Sequence, residues 1–125
     1  MKAVINTDKA PGAIGPYSQG IKAGGFVFVS GQMPVNPLTN MVVDGGIEEQ
    51  TVQVLENIKA ILASENLTMS HVVKTTVYLK NLEDFQVVNT IYGHYFKEQA
   101  PARACIQVVK LPKDVMVEIE AIAVL

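Results

Sequence analysis

The sequence predicts an α+β fold in which two helices cover one face of a single sheet. Three observations carry that reading. The N-terminal third is strand and turn material, two later stretches switch to helical spacing, and the chain closes on two apolar runs, APARACIQVV and VMVEIEAIAVL. The order strands, helix, strand, helix, strand, strand packs most economically with both helices on one side of the sheet. The other side is then bare, and must be polar or covered by another subunit.

Each element has its own signal. AVIN, from Ala3, is short and apolar, and APGAIGPYSQG, from Ala10, is dense in Gly and Pro and reads as a shaped loop. Phe26 to Ser30 is β-rich and runs into a Gly/Pro-broken segment. From Ile47 the period changes: Ile47, Thr51, Val54, Leu55, Ile58, Ile61 and Leu62 recur at helical spacing, with Glu48 and Glu49 in the first turn, where the helix dipole favours anions. Val72 to Leu79 is rich in β-branched residues and predicts a strand. Asn81, with Asp84 three residues on, resembles a cap for a helix carrying Phe85, Val88, Tyr92 and Phe96 on one stripe. Pro101 ends that stretch, and the final two strands follow.

Composition narrows the function. The 125 residues suit a single domain spanning 1–125, and 49% apolar against 18% charged leaves little room for disorder. An apolar chain of this size tends to hide surface against copies of itself. The formal charge of -2 is spread without a block of either sign, so a basic stripe for nucleic acid has little support. A lone cysteine excludes an internal disulfide, and His71 and His94 lack metal-ligand spacing. No apolar run reads as a signal peptide or a membrane span. The expectation is a cytoplasmic, metal-free and oligomeric protein with no nucleic-acid or membrane partner.

The charges in the last two strands are the conspicuous feature. Strand side chains alternate, so Arg103, Cys105 and Gln107 share one side, and Met116, Glu118, Glu120 and Ile122 share one side of the next strand. The opposite sides are small and apolar, suited to packing beneath helices, so both charged sides are expected on the uncovered sheet face. Charge taken from water is costly unless paired. An interface salt bridge between Arg103 and a glutamate satisfies that requirement, and so does a ligand site.

The block PARACIQVVKLPKDVMVEIEAIA resembles the C-terminal signature of the reactive intermediate deaminase family, RidA or YjgF. APGAIGPYSQGI, SGQMPVNP and VVKTTVYLKNLEDFQVVNTIYGHYF extend the resemblance along the whole chain, and Cys105 with Glu118 matches the enzymatically active branch. Lys97–Ala100 is shorter than in some relatives. The resemblance implies a chorismate-mutase-like subunit with the Val72–Leu79 strand inserted between the last two strands. The strands alone suggest instead a hairpin across KLPK. It also implies a homotrimer with sheets facing the threefold axis, and clefts in which Arg103 of one subunit meets Glu118, Tyr17 and Ser30 of the next.

The implied reaction is hydrolysis of small enamines and imines, such as 2-aminoacrylate, 2-iminobutanoate and 2-iminopropanoate, to 2-keto acids and ammonia without a cofactor. Arg103 then binds a carboxylate with its planar fork, and Glu118 holds water and moves protons. Cys105, Tyr17, Ser30 and Asn89 shape the substrate pocket. Plainer roles stand beside these: a small buried thiol at Cys105, an exposed loop aromatic at Tyr17, a backbone partner at Ser30 and packing at Asn89. Glu120 is read as structural. A trimeric sensor of 2-keto acids without turnover is the rival function. A ribonuclease or translation inhibitor ranks last, because the sequence shows no basic groove and no acid–base histidine pair.

Overall fold

The computed structural model describes residues 1–125. Its strands are β1 (Lys2–Ile5), β2 (Gly20–Ala23), β3 (Phe26–Gln32), β4 (Val35–Asn36), β5 (Met41–Val42), β6 (Val72–Leu79), β7 (Ala102–Gln107) and β8 (Val117–Val124). The helices are α1 (Ile47–Ala63) and α2 (Phe85–Tyr95). Six strands form a mixed sheet in the order β1-β2-β3-β8-β6-β7, and β4 with β5 forms a separate small hairpin. Only β6 and β7 run parallel; the other neighbours are antiparallel.

That order decides between the hairpin and the inserted strand. β6 lies between β8 and β7, as the resemblance implied. A two-residue turn cannot join parallel neighbours, and here α2 supplies the crossover from β6 to β7.

Both helices lie on one face. The stripe read from the period of α1 is buried at Thr51, Val54, Leu55, Ile58, Ile61 and Leu62. It packs on Val27 and Val29 of β3 and on Val117, Ile119, Ala121 and Ala123 of β8, all in the core. Small Ala121 and Ala123 let the helix approach the sheet closely. α1 opens with the Glu49 carboxylate accepting the Gly46 N–H at 2.8 Å, which holds that carboxyl below the usual glutamate range. Ahead of α2, Asn81 Oδ1 accepts the Glu83 N–H at 2.9 Å; the capping turn is a 3₁₀ segment, and Asp84 makes no side-chain cap.

One expectation is corrected. β8 alternates as read, with Glu118, Glu120 and Ile122 on the face without helices. β7 does not follow. Its register pairs Thr75 with Arg103 and Val77 with Cys105, and Thr75 and Val77 point into the core. Arg103 and Cys105 therefore face the helix side, while Ala104 and Ile106 are exposed on the other. Small residues fit beneath helices in a central strand, but β7 is an edge strand at the margin of the helix layer. Arg103 pairs with no glutamate of its own chain, whose ion pairs are Lys22–Glu65 and Lys80–Asp114.

Candidate active site

The Arg103 guanidinium is held by α2. It lies 4.8 Å from the Tyr92 ring centroid and 5.4 Å from that of Phe85, and its Nη1 donates to Asn89 Oδ1 at 2.8 Å. Tyr92 is fixed in turn by a 2.7 Å hydrogen bond between its hydroxyl and that of Thr75, a pair buried at the core edge. A guanidinium over aromatic faces gains about 0.5–1 kcal/mol at an exposed site. More to the point, it loses conformational freedom while most of its planar fork stays open. Phe85, Asn89 and Tyr92 fall at helical spacing, and a polar Asn within an apolar stripe was the signal available in the sequence. Neither ring was read as a site residue there.

Cys105 follows on the same side of β7, half-buried against the core. Burial pushes its thiol above the ordinary range, and Arg103 opposes that only in part. It is a thiol at neutral pH rather than an activated thiolate.

The second cluster sits around the end of β3, on the other face of the sheet. Ser30 Oγ donates to the Ser18 carbonyl at 2.5 Å, and the Ser30 N–H donates to the Gln19 carbonyl at 3.0 Å. These bonds moor the Gly/Pro loop to the sheet. Buried Gln19 completes the mooring: its Nε2 donates to the carbonyls of Thr7, Ala10 and Pro11, and its Oε1 accepts the Thr7 N–H. Tyr17 is thereby held half-exposed at a small cleft shared with Pro11, Gln19, Gly31 and Gln32.

The Glu118 carboxylate lies over Gly31, bordering this cleft. Its pKa is raised above the usual glutamate range, chiefly by burial and secondly by Glu120. Glu120 accepts the Tyr78 hydroxyl at 3.0 Å and lines an adjoining groove of about 320 Å³ with Phe28, Ser30, Lys74, Thr76 and Ile122.

Within one chain, then, Arg103, Asn89 and Cys105 come together, as do Glu118, Tyr17 and Ser30. The two clusters do not meet: they project from opposite faces of the sheet, with β6 between their strands. Each presents open polar groups toward the outside of the subunit.

The family model described as Endoribonuclease L-PSP matches residues 7–125. The chain belongs to this family, the YjgF/RidA family. Among its YjgF/RidA relatives is a RutC family protein of Pyrococcus horikoshii, 55% identical over 98% of both chains. Another, from Escherichia coli K12, bears the name "Putative reactive intermediate deaminase TdcF" and is 46% identical over 99% of this chain and 98% of its own. The solved structure of E. coli TdcF with bound serine superposes with a TM-score of 0.92 at 47% identity, covering 98% of both chains. A Rid-family protein of Yersinia pestis reaches a TM-score of 0.97 at 48% identity over the full length of both. The likeness to reactive intermediate deaminases supports an enamine/imine deaminase, the coarse activity at which the YjgF/RidA resemblance pointed. No helix of the protein is long and apolar enough to cross a membrane.

Proposed function

We propose that this protein hydrolyses small 2-imino acids and their enamine tautomers, such as 2-aminoacrylate, to 2-keto acids and ammonia in the cytoplasm, working as a cofactor-independent homotrimer. The observation that carries the reading is the Arg103 guanidinium, pre-oriented by Tyr92, Phe85 and Asn89 and lacking any carboxylate partner in its own chain. Such a fork suits a substrate carboxylate in two-point contact. The serine in the solved TdcF structure is likewise a small amino acid with a free carboxylate.

The trimer brings the clusters together across subunits, Arg103 of one facing Glu118, Tyr17 and Ser30 of the next. Exposed Phe26, Phe28 and Ile106 on the helix-free face support burial against a neighbour. In the reaction, the enamine takes a proton from solvent at its terminal carbon and becomes the protonated imine. Glu118 accepts a proton from water as the water oxygen bonds to the imine carbon, while the nitrogen becomes an amine. Glu118 then returns the proton to that nitrogen; the C–N bond breaks and ammonia leaves as the hydroxyl gives its O–H proton to Glu118 and the C=O bond forms. A protonated imine is already electrophilic, so orientation supplies much of the rate. Cys105 lines the pocket as a neutral thiol.

The test couples an amino-acid oxidase, which generates imino acids in place, to keto-acid release in competition with a scavenger. Faster release on adding the protein is expected. Release at the rate of buffer, with 2-keto acid still bound, would leave a sensor of small carboxylates as the reading. The ribonuclease reading lacks acid–base histidines at either cluster: His94 lines the outer groove between α1 and the 68–70 turn, and His71 accepts the Thr68 N–H.

A further inference from the structure

Between Val29, opposite Ala121, and Gln32, opposite Ile119, the two residues Ser30 and Gly31 face the single Glu120. Such a two-against-one bulge re-aims side chains and is frequent beside active sites. A bulge often takes glycine for its left-handed backbone, yet Gly31 is not among the positive-φ residues. Its backbone does not call for glycine. The space does: a Cβ here would stand 3.0 Å from the Glu118 carboxyl carbon and 3.3 Å from its Cγ, with a carboxylate oxygen nearer still. The three nearest atoms all belong to Glu118, so a methyl group would collide first with that side chain.

We infer that Gly31 is a positioning residue whose missing side chain seats the Glu118 carboxylate over the β3 bulge, beside the cleft that holds Tyr17. The catalytic meaning of the seat rests on the deaminase reading; the steric relation does not. Gly31→Ala turns the carboxylate out of its seat, and a misplacement on the order of 1 Å costs about 10²-fold in rate. Because Arg103 carries the substrate carboxylate, the loss falls on kcat rather than KM.

The test is a pair of double-mutant cycles. In turnover, Gly31→Ala is expected to lower kcat about 10²-fold in the parent and to add nothing to Glu118→Gln. In thermal unfolding, Gly31→Ala is expected to raise Tm in a Glu118→Ala background, where only unfolded-state entropy is reduced, and to fail to raise it in the parent. Should Gly31→Ala not fold alone, recovery of folding by Glu118→Ala supports the seat, and failure of the double variant overturns it. Additive effects in the unfolding cycle overturn it whatever the activity. A parent that hydrolyses no imine sinks the deaminase reading instead, and leaves the unfolding cycle to judge the seat.

Discussion

Arg103 and Glu118 divide the proposed chemistry, and substitutions separate them. Arg103→Ala removes a two-point, charge-assisted contact worth about 1.5–3 kcal/mol per bond, so pyruvate binding should weaken by about 10²-fold or more, and turnover with it. Arg103→Lys keeps the charge but neither the fork nor the flat stacking on Tyr92 and Phe85, and should be nearly as poor. Calorimetry with pyruvate reads this directly; unchanged affinity in the Ala variant would remove Arg103 from the ligand site. Glu118→Gln should bind pyruvate as the parent does or more tightly, while imine hydrolysis falls substantially. Parental hydrolysis by that variant would move the proton-transfer role elsewhere, with Glu120 the first candidate. Glu118 also predicts a pH signature. Burial and then Glu120 raise its folded pKa, so the fold binds its proton more tightly than the unfolded chain does. That contribution is full below the ordinary value of about 4.3 and fades as pH rises through the folded value. In separated subunits, where no neighbouring Arg103 faces the carboxylate, Glu118→Gln should therefore raise the denaturant midpoint at about pH 7 and leave it unchanged near pH 4; the same gap at both would contradict the burial argument.

At the scale of elements, the Gly/Pro loop is ordered by one side chain rather than by ladder pairing. Gln19 satisfies three carbonyls and one N–H between Thr7 and Pro11, and its own carbonyl receives Ser30. Gln19→Leu keeps the bulk and strands those groups, at a cost on the order of 2 kcal/mol. It should also raise KM, because Tyr17 and Ser30 lose their mooring. Urea unfolding and steady-state kinetics check the two halves, and a fully stable variant with parental KM would show that the loop needs no clamp. Asn57 does comparable work between α1 and the segment leading into β4, donating to the Met33 and Val35 carbonyls from a buried position. Gln50 of α1 accepts the Met116 N–H and so steadies the approach to β8, the strand that carries Glu118.

For the whole molecule, the sheet face without helices decides whether a subunit is complete. Phe26 and Phe28 stand 41% and 43% exposed on β3, and Ile106 46% exposed on β7, a broad apolar exposure for a chain of this size. Burial of that face in the proposed trimer gives a native mass near three times 13.5 kDa. Phe28→Glu, which places charge in the proposed interface at a residue outside the hydrophobic core, should yield subunits without turnover even though Arg103 and Glu118 remain. Light scattering on parent and variant tests both statements. A parent that is a stable monomer at micromolar concentration would sink the shared site.

Periodicity made much of this fold legible. The 3.6-residue stripe of α1, the β-branched run of β6 and the alternation of β8 are local patterns, and each chain segment obeyed its own. The family followed from motifs spread along the chain, and the inserted strand followed from the family rather than from the KLPK turn. Alternation in β7 showed that Arg103 and Ala104 lie on opposite sides but not which side meets the helices. That is set by the register of β7 against β6, a pairing between distant segments, and by its place at the sheet edge. The same limit hid the Tyr92 and Phe85 platform, which exists only once α2 crosses from β6 to β7, and the Gly31 seat, which exists only where β3 slips against β8. The sequence by itself determined the two helices and the longer strands, the core-facing stripes of α1 and β8, and the kinds of reactive side chain they carry, because those depend on neighbours a few residues away. Tertiary structure alone decided which charged groups share a face and which glycine must stay bare, because those depend on contacts between strands that the chain brings together only on folding.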